Sequence, residues 1–121
     1  MTEKLFSGSA AAVALAALAA CASTPPPTEQ LAAARAMVSQ AQPLALKEAP
    51  AELQTAQGKL ARAEDAMKRG DYVNARIFAE QADVDAKYAL ALAESARTQR
   101  AAAEISNSIS TLRDELERRP R

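Results

Sequence analysis

Few side chains in this sequence have types and spacings that could support chemistry. Cys21 is the only cysteine and histidine is absent, which excludes the usual nucleophile and base pairs. Two acidic pairs, Glu64 with Asp65 and Asp83 with Asp85, have the residue types of an acid–base or cation site. Each has a simpler partner at i+4 on a helix. The expected ion pairs are Glu64–Lys68, Asp65–Arg69 and Asp83–Lys87. We therefore predict no enzyme activity, no metal site and no cofactor.

The one chemical step that the sequence indicates is at Cys21. Lys4 and the apolar run 5–20 have the layout of a secretory signal with a small-residue cleavage site. A transmembrane helix or an unmodified signal is the alternative, but the run is interrupted by Ser7-Gly8-Ser9 and is shorter than the ~20 apolar residues that span a bilayer. The stretch Leu18-Ala19-Ala20-Cys21 resembles the lipobox of bacterial lipoproteins. The resemblance implies that the Cys21 thiol is joined to diacylglycerol and that residues 1–20 are then removed.

Composition limits the classes of protein that the rest of the chain can form. The 15 basic and 15 acidic side chains cancel, which argues against a nucleic-acid partner because such proteins need a basic footprint. Alanine is abundant, tryptophan is absent, and aromatic residues are only 3% of the chain, so a sheet-based core is not favoured. With one cysteine, no disulfide can form within the chain. We expect one all-α domain held together by helix packing.

Residues 21–27 are predicted to be the lipid anchor and a Pro-rich spacer. Pro25-Pro26-Pro27 favours a stiff extended chain that lifts the domain off the lipid surface. By its resemblance to lipoproteins, Ala22 directs the chain to the outer membrane, because Asp follows the cysteine in enterobacterial members that stay in the inner membrane. The helical domain is then 28–118.

The first two predicted helices form a hairpin. Thr28 is the expected N-cap of the first, and Pro43 and Pro50 are expected to end or kink it. Pro50 opens the second helix as its first residue. Gly70 is expected to close that helix in the left-handed conformation, and Asp71 to cap the next one. The apolar stripes are Leu31, Ala34, Val38, Ala41 and Ala45 on the first helix, and Leu53, Ala56, Leu60, Ala63 and Met67 on the second.

The third predicted helix is long and has two apolar stripes. It runs from Tyr72 to Arg118, because no Gly or Pro interrupts it before Pro120. Its first half carries a heptad seam of Tyr72, Ala75, Ala79, Ala82, Ala86, Ala89, Ala93 and Ala96. We expect larger residues to flank this seam and widen the buried face. They are Val73, Ile77, Phe78, Val84, Tyr88, Leu90 and Leu92.

The second stripe is a candidate interaction face. It comprises Ile105, Ile109, Leu112 and Leu116. Ile105 lies nine residues after Ala96, which is half a turn around the helix at ~100° per residue. The hairpin is too short to cover this half, so the segment beyond about Arg97 should project from a three-helix bundle or hairpin. We expect this stripe to self-associate weakly or to dock on a partner helix.

A basic cluster near the C-terminal end has two interpretations. Arginine binds carboxylate and phosphate groups bidentately, so the cluster could meet an anionic envelope polymer or lipid headgroup. The simpler interpretation is a solvated helix end, with i+4 pairs from Asp114 to Arg118 and from Glu115 to Arg119. The cluster consists of Arg113, Arg118, Arg119 and Arg121.

The turn between the second and third helices carries a family resemblance. Gly70-Asp71-Tyr72 lies between two alanine-spaced helices, with Leu60, Ala63 and Met67 before it and Ala75, Ala79 and Ala82 after it. Over roughly 31–116 the chain resembles bacterial lipoproteins of the family called domain of unknown function 4398. Some members of that family join this domain to a peptidoglycan-binding module. We do not expect such a module here, and so we do not expect direct binding to peptidoglycan. We also do not expect the C-terminal lysine through which the murein lipoprotein is joined to peptidoglycan, so covalent attachment is not expected either.

These observations predict a non-enzymatic protein on the periplasmic face of the outer membrane, held by lipid on Cys21. Its helical hairpin and projecting helix would act as a structural or assembly element of the cell envelope. The alternative is an adaptor that recruits one defined envelope protein through its helical face. The expected partners are the membrane, together with a second copy of the chain or an envelope protein.

Overall fold

The computed structural model describes residues 24–119. Over that range the chain forms three α-helices, α1 (Thr28–Glu48), α2 (Pro50–Lys68) and α3 (Tyr72–Arg118). The predicted all-α fold is confirmed, and the three helices form an up-down-up bundle in which α1 and α3 run in the same direction. Helix α3 packs against both shorter helices and continues beyond them.

Helix α1 differs from the prediction at two points. Its N-cap is Pro27 and not Thr28, and no side chain caps it; the Pro27 carbonyl accepts a hydrogen bond from the Leu31 amide at 3.1 Å. Pro43 lies inside the helix and does not end it. The carbonyl of Ser39, which loses its i+4 donor there, is on the exposed face, where solvent can satisfy it.

The two connections follow from local backbone preferences. Ala49 has φ −145° and leaves the helical region, as expected for a residue before proline, and α2 then begins at Pro50 as predicted. At the other end of α2, Gly70 has φ +73°, the left-handed conformation that glycine adopts without steric cost. The Asp71 carboxylate accepts a hydrogen bond from the Asn74 amide at 3.2 Å, which confirms the predicted cap of α3.

The core consists mostly of alanine side chains. The predicted heptad seam of α3, hereafter the alanine seam, is buried from Ala75 to Ala93, whereas its end members Tyr72 and Ala96 are half-buried. The buried alanines from Ala79 to Ala93 form two clusters with the apolar faces of α1 and α2. Leu53 and Pro27 are the largest fully buried side chains. Small side chains let the helix backbones approach closely, so the bundle gains packing contacts with little side-chain volume.

The prediction that larger residues flank the seam and share its burial is only partly correct. Phe78 and Leu90 pack against the core, but the other apolar residues are between 36% and 62% exposed. Val84, for example, is 62% exposed because it lies two residues from Ala82, which is about 200° around the helix. The exposed members are Val73, Ile77, Val84, Tyr88 and Leu92.

Candidate functional site

The bundle ends at an ion pair between the first and third helices. Arg100 donates two hydrogen bonds to the Glu48 carboxylate, Nη1 to Oε1 at 2.7 Å and Nη2 to Oε2 at 2.6 Å. The Glu48 side chain is only 7% exposed, so the guanidinium covers it. Hydrogen bonding to Glu48, and secondly its charge, raises the pKa of Arg100 above its ordinary value. This two-point contact joins the last turn of α1 to α3.

Beyond Arg100, helix α3 projects alone. Every described residue from 101 to 119 is exposed. The helical part of this segment, 101–118, is about 27 Å long at 1.5 Å per residue. The prediction of a projecting C-terminal helix is therefore correct, and the projection begins close to the predicted residue.

The candidate interaction face lies on this projecting segment. Ile105 is 63% exposed, Ile109 45%, Leu112 59% and Leu116 67%. The structure places all four on one side of the helix with no neighbour from the described residues over them. Branched apolar side chains at this spacing are typical of a surface that another helix covers.

A second exposed apolar surface lies beside the groove between α2 and α3. The open groove is lined by Ile77 and Val84 from α3 and by Lys59 from α2, together with Glu80, Gln81 and Asp85. Lys59 Nζ lies 2.6 Å from Asp85 Oδ2 across this groove. A neighbouring depression is lined by Tyr88 with Glu52, Thr55 and Asp85. The groove thus has an apolar wall and charged edges.

The acidic residues considered for catalysis are engaged with basic side chains. Asp83 pairs with Lys87 at 2.6 Å, as predicted. Glu64 pairs instead with Arg35 of α1 at 2.7 Å, and Asp65 pairs with Lys68 at 3.2 Å, so the predicted Glu64–Lys68 and Asp65–Arg69 pairs are wrong. Glu64 pairs with an arginine of the neighbouring helix α1 and not with the lysine one turn along its own helix. Within 24–119, no cluster of three or more acidic, His or Cys side chains is arranged to hold a metal ion.

The turn at Gly70 carries the second shifted titratable group. The side-chain amide of Asn74 donates to Asp71 Oδ2 at 2.7 Å, in addition to the backbone amide of the same residue. These two hydrogen bonds, the side-chain one first, lower the pKa of the Asp71 carboxyl below its ordinary value of 3.8. The carboxylate acts as a cap and is therefore a stability feature of α3.

The remaining predicted sites are the C-terminal arginine cluster and the lipidation site. Arg113, Arg118 and Arg119 are exposed, and the pairs predicted for the last two with Asp114 and Glu115 do not form among the described residues. Exposed partners of this kind gain little from holding one geometry. Arg121, and the lipobox residues Leu18, Ala19 and Ala20 with the lipidation residue Cys21, lie outside the described residues.

The N-terminal end of the described chain lies beside the start of α3. Thr24 lines a depression together with Gly70, Asp71, Tyr72 and Val73, at the start of α3. The chain therefore enters the bundle at the end opposite to the projecting segment. No helix within the described residues is long and apolar enough to cross a bilayer.

Comparison with known families finds a match over the helical bundle. The model of the family described as domain of unknown function (DUF4398) matches residues 29–105. The chain belongs to this family. The matched range covers α1, α2 and α3 as far as Ile105, and so includes the whole bundle and the Arg100 contact. No curated protein and no solved structure matches the chain.

Two features of the surface were missed by sequence reasoning. The first is the Arg100–Glu48 contact. Its signal in the sequence is that Arg100 takes the next position after Ala96 in the heptad spacing of the alanine seam, on the side of α3 that faces α1. The second is that Ile77, Val84 and Tyr88 share the outer face of α3 with the candidate interaction face. Seven-residue steps backward from Leu112 and Leu116 lead to Ile77, Val84 and Tyr88, so the sequence did contain the signal for this shared face.

Proposed function

We propose that this protein is a lipoprotein of the bacterial cell envelope, anchored by acyl chains on Cys21, whose DUF4398 domain is a non-enzymatic structural or assembly element. The proposed location is the periplasmic face of the outer membrane. The observation that carries the proposal is the layout of the rod: Thr24, three residues after the proposed acylated cysteine, lies at one end, and the projecting half of α3 extends from the other.

This layout suits a spacer better than a catalyst. A rod about 70 Å long, at 1.5 Å per residue of α3, can hold a contact surface away from the lipid. The described acidic side chains with catalytic potential face lysine or arginine partners, which supports a role in packing and solubility. The Arg100–Glu48 contact joins the base of the projecting helix to the last turn of α1, which is consistent with a spacer.

The anchoring part of the proposal is tested by metabolic labelling with palmitate. The natural chain should incorporate the label and sediment with membranes, whereas Cys21→Ser should do neither, because acyl chains contribute ~0.8 kcal/mol per buried CH₂ to membrane binding. Gln30→Cys in the Cys21→Ser background is a matched control that keeps one thiol but places it after Glu29, away from the small-residue cleavage site. Equal label in the natural chain and Cys21→Ser would refute the anchor.

A second candidate function is that of an adaptor for one envelope protein. The apolar groove beside Ile77 and Val84, with Lys59 and Glu80 at its edges, is the observation that favours it. Such a surface, apolar inside and charged at the rim, is typical of protein interfaces.

Crosslinking in intact envelopes separates the two functions. A single partner in constant ratio to the chain would favour the adaptor. Products between copies of the chain, or diffuse products along the wall, would favour the structural element. A photoreactive residue at Val84 samples the groove and one at Leu116 samples the projecting helix; one at Ala61, exposed on α2, is the control.

A further inference from the structure

The outer face of α3 carries one continuous heptad seam, and the four residues of the candidate interaction face are only its last third. Two interleaved series of seven-residue steps run from Ile77 to Leu116. The first series is Ile77, Val84, Ala91, Thr98, Ile105 and Leu112, and the second is Gln81, Tyr88, Ser95, Ala102, Ile109 and Leu116. All twelve positions are exposed, and nine of them carry apolar side chains or tyrosine.

This outer seam lies on the opposite side of the helix from the alanine seam. Val84 is about 200° from Ala82 and about 200° from Ala86. From Ala75 to Ala93 the alanine seam is buried, with α1 and α2 packed against it. The 3.5-residue spacing of the outer seam calls for a further helix, and the seam is about 58 Å long.

We propose that the occupant of the outer seam is α3 of a second copy of this chain, parallel and in register. A covering helix must be about forty residues long to match the seam. Helices α1 and α2 have 21 and 19 residues, whereas α3 has 47. A second α3 supplies both the length and the spacing. This inference extends the proposed structural role, and it does not require the lipid anchor.

The polar positions of the seam determine the direction. In a parallel, in-register pair Gln81 meets Gln81 of the second copy, and Ser95 and Thr98 meet their own counterparts, so polar groups can hydrogen-bond across the seam. In the antiparallel registers that keep most of the seam covered, Gln81 faces Ile105 or Leu112 and loses its partners. Glu80 approaches Asp85 of the second copy in the parallel pair, but Lys59 lies 2.6 Å from that carboxylate and offsets the repulsion.

The apolar area is sufficient for a dimer. Seven large apolar or aromatic side chains of the seam are each between 43% and 67% exposed. At roughly 60 to 120 Å² per buried side chain, two copies would remove on the order of 1,000 Å² or more from water, which is the size at which specific interfaces become stable. The small residues Ala91, Ser95 and Ala102 in the middle let the two helices approach closely.

Disulfide crosslinking of the whole chain in the bacteria that produce it tests the proposal. Val84→Cys and Ile105→Cys place a thiol on the seam, and Asn107→Cys places one on the exposed opposite side of the same helix. After mild thiol oxidation we expect a dimer of the chain with each seam cysteine, and with Asn107→Cys only the background of the natural chain, whose single thiol is Cys21. Seam cysteines that give no more dimer than Asn107→Cys, or that link to a different protein, would overturn the proposal.

Two further arms test the direction and the continuity of the seam. Co-production of differently tagged Ile77→Cys and Leu116→Cys chains should give no mixed dimer; a strong mixed dimer would mean antiparallel pairing. Adding Ile109→Asp and Leu112→Asp to Val84→Cys should abolish the Val84→Cys dimer, whereas Asn107→Asp and Thr111→Asp, off the seam, should leave it. Circular dichroism of the purified variants confirms that helix content is kept. A failed palmitate label with intact crosslinks would contradict the anchor and leave this seam standing.

Discussion

Replacing Ala82 by leucine should strongly destabilise the bundle. Ala82 has no accessible surface and lies in one cluster with Leu31 and Ala34 of α1 and Ala63 of α2. A leucine adds three carbon atoms at a point where helices approach closely on two sides. The helices must separate or the side chain must take a poor rotamer, and either response disturbs the neighbouring alanine contacts.

The expected size of this effect follows from overpacking. Extra methylene groups in a packed core cost ~1 to 3 kcal/mol, and 1 kcal/mol shifts the Tm of a domain of this size by ~4 to 8 °C, so Ala82→Leu should lower the Tm by about 5 to 20 °C. Ala61, exposed on the far side of α2, is the matched control. Ala61→Leu should stay within about 0.5 kcal/mol, because leucine and alanine have similar helix propensities and the site has free space.

The assay is thermal unfolding of residues 22–121 without lipid, followed by circular dichroism at one fixed protein concentration. A fixed concentration is necessary because self-association would make the Tm concentration-dependent. If Ala82→Leu and Ala61→Leu unfold at the same temperature, close helix contact through the alanine seam does not hold the bundle together, and the description of the core is wrong.

Three further perturbations address the turn, the cap and the end of the bundle. Gly70→Ala should destabilise the domain by roughly 1 to 2 kcal/mol, because residue 70 has a positive φ. Gly58→Ala, in the middle of α2 with open space where the Cβ would lie, should stabilise the domain by about 0.5 to 1 kcal/mol. Urea unfolding that gives both changes the same sign would refute the turn geometry. The pKa of the Asp71 carboxyl is lowered on folding, so the carboxylate stabilises the fold above its unfolded-state pKa, and this stabilisation is lost as the pH falls through the lower folded-state value. On acidification below 3.8, Asp71→Asn should therefore lose less stability than the natural chain. Equal losses would count against the cap. Arg100→Gln should speed amide hydrogen exchange in the last turn of α1, around Glu48, and leave the first turn unchanged; uniform exchange rates would show that the contact does not fix this end.

Much of the fold could be predicted because its rules are local. The bounds of α2 and α3 follow from Pro50, Gly70, Asp71 and an uninterrupted helix that ends before Pro120, and the structure agrees with them. The role of Pro43 could not be predicted this way. Whether a proline ends a helix depends on whether the carbonyl it leaves unpaired can reach solvent, and that depends on packing.

The contact surfaces were less predictable for the same reason. The alanine seam was correctly predicted to face the other helices, but Val84 and Tyr88 were expected to widen the buried face and are instead exposed. How far burial extends around α3 depends on how closely the three backbones approach, which the sequence does not specify. The Arg100–Glu48 contact likewise joins residues 52 positions apart, and its geometry depends on where α1 ends relative to α3.

The most direct test of the anchored rod is a distance measurement from the lipid surface. The acylated protein is placed in vesicles that contain a headgroup-labelled energy acceptor, and a donor dye is attached to one added cysteine. Val73→Cys marks the end beside Thr24, and Arg113→Cys marks the projecting end, about 60 Å away along α3. We expect efficient transfer from the dye at 73 and little from the dye at 113. Equal transfer from both sites, or more from 113, would contradict the anchored rod.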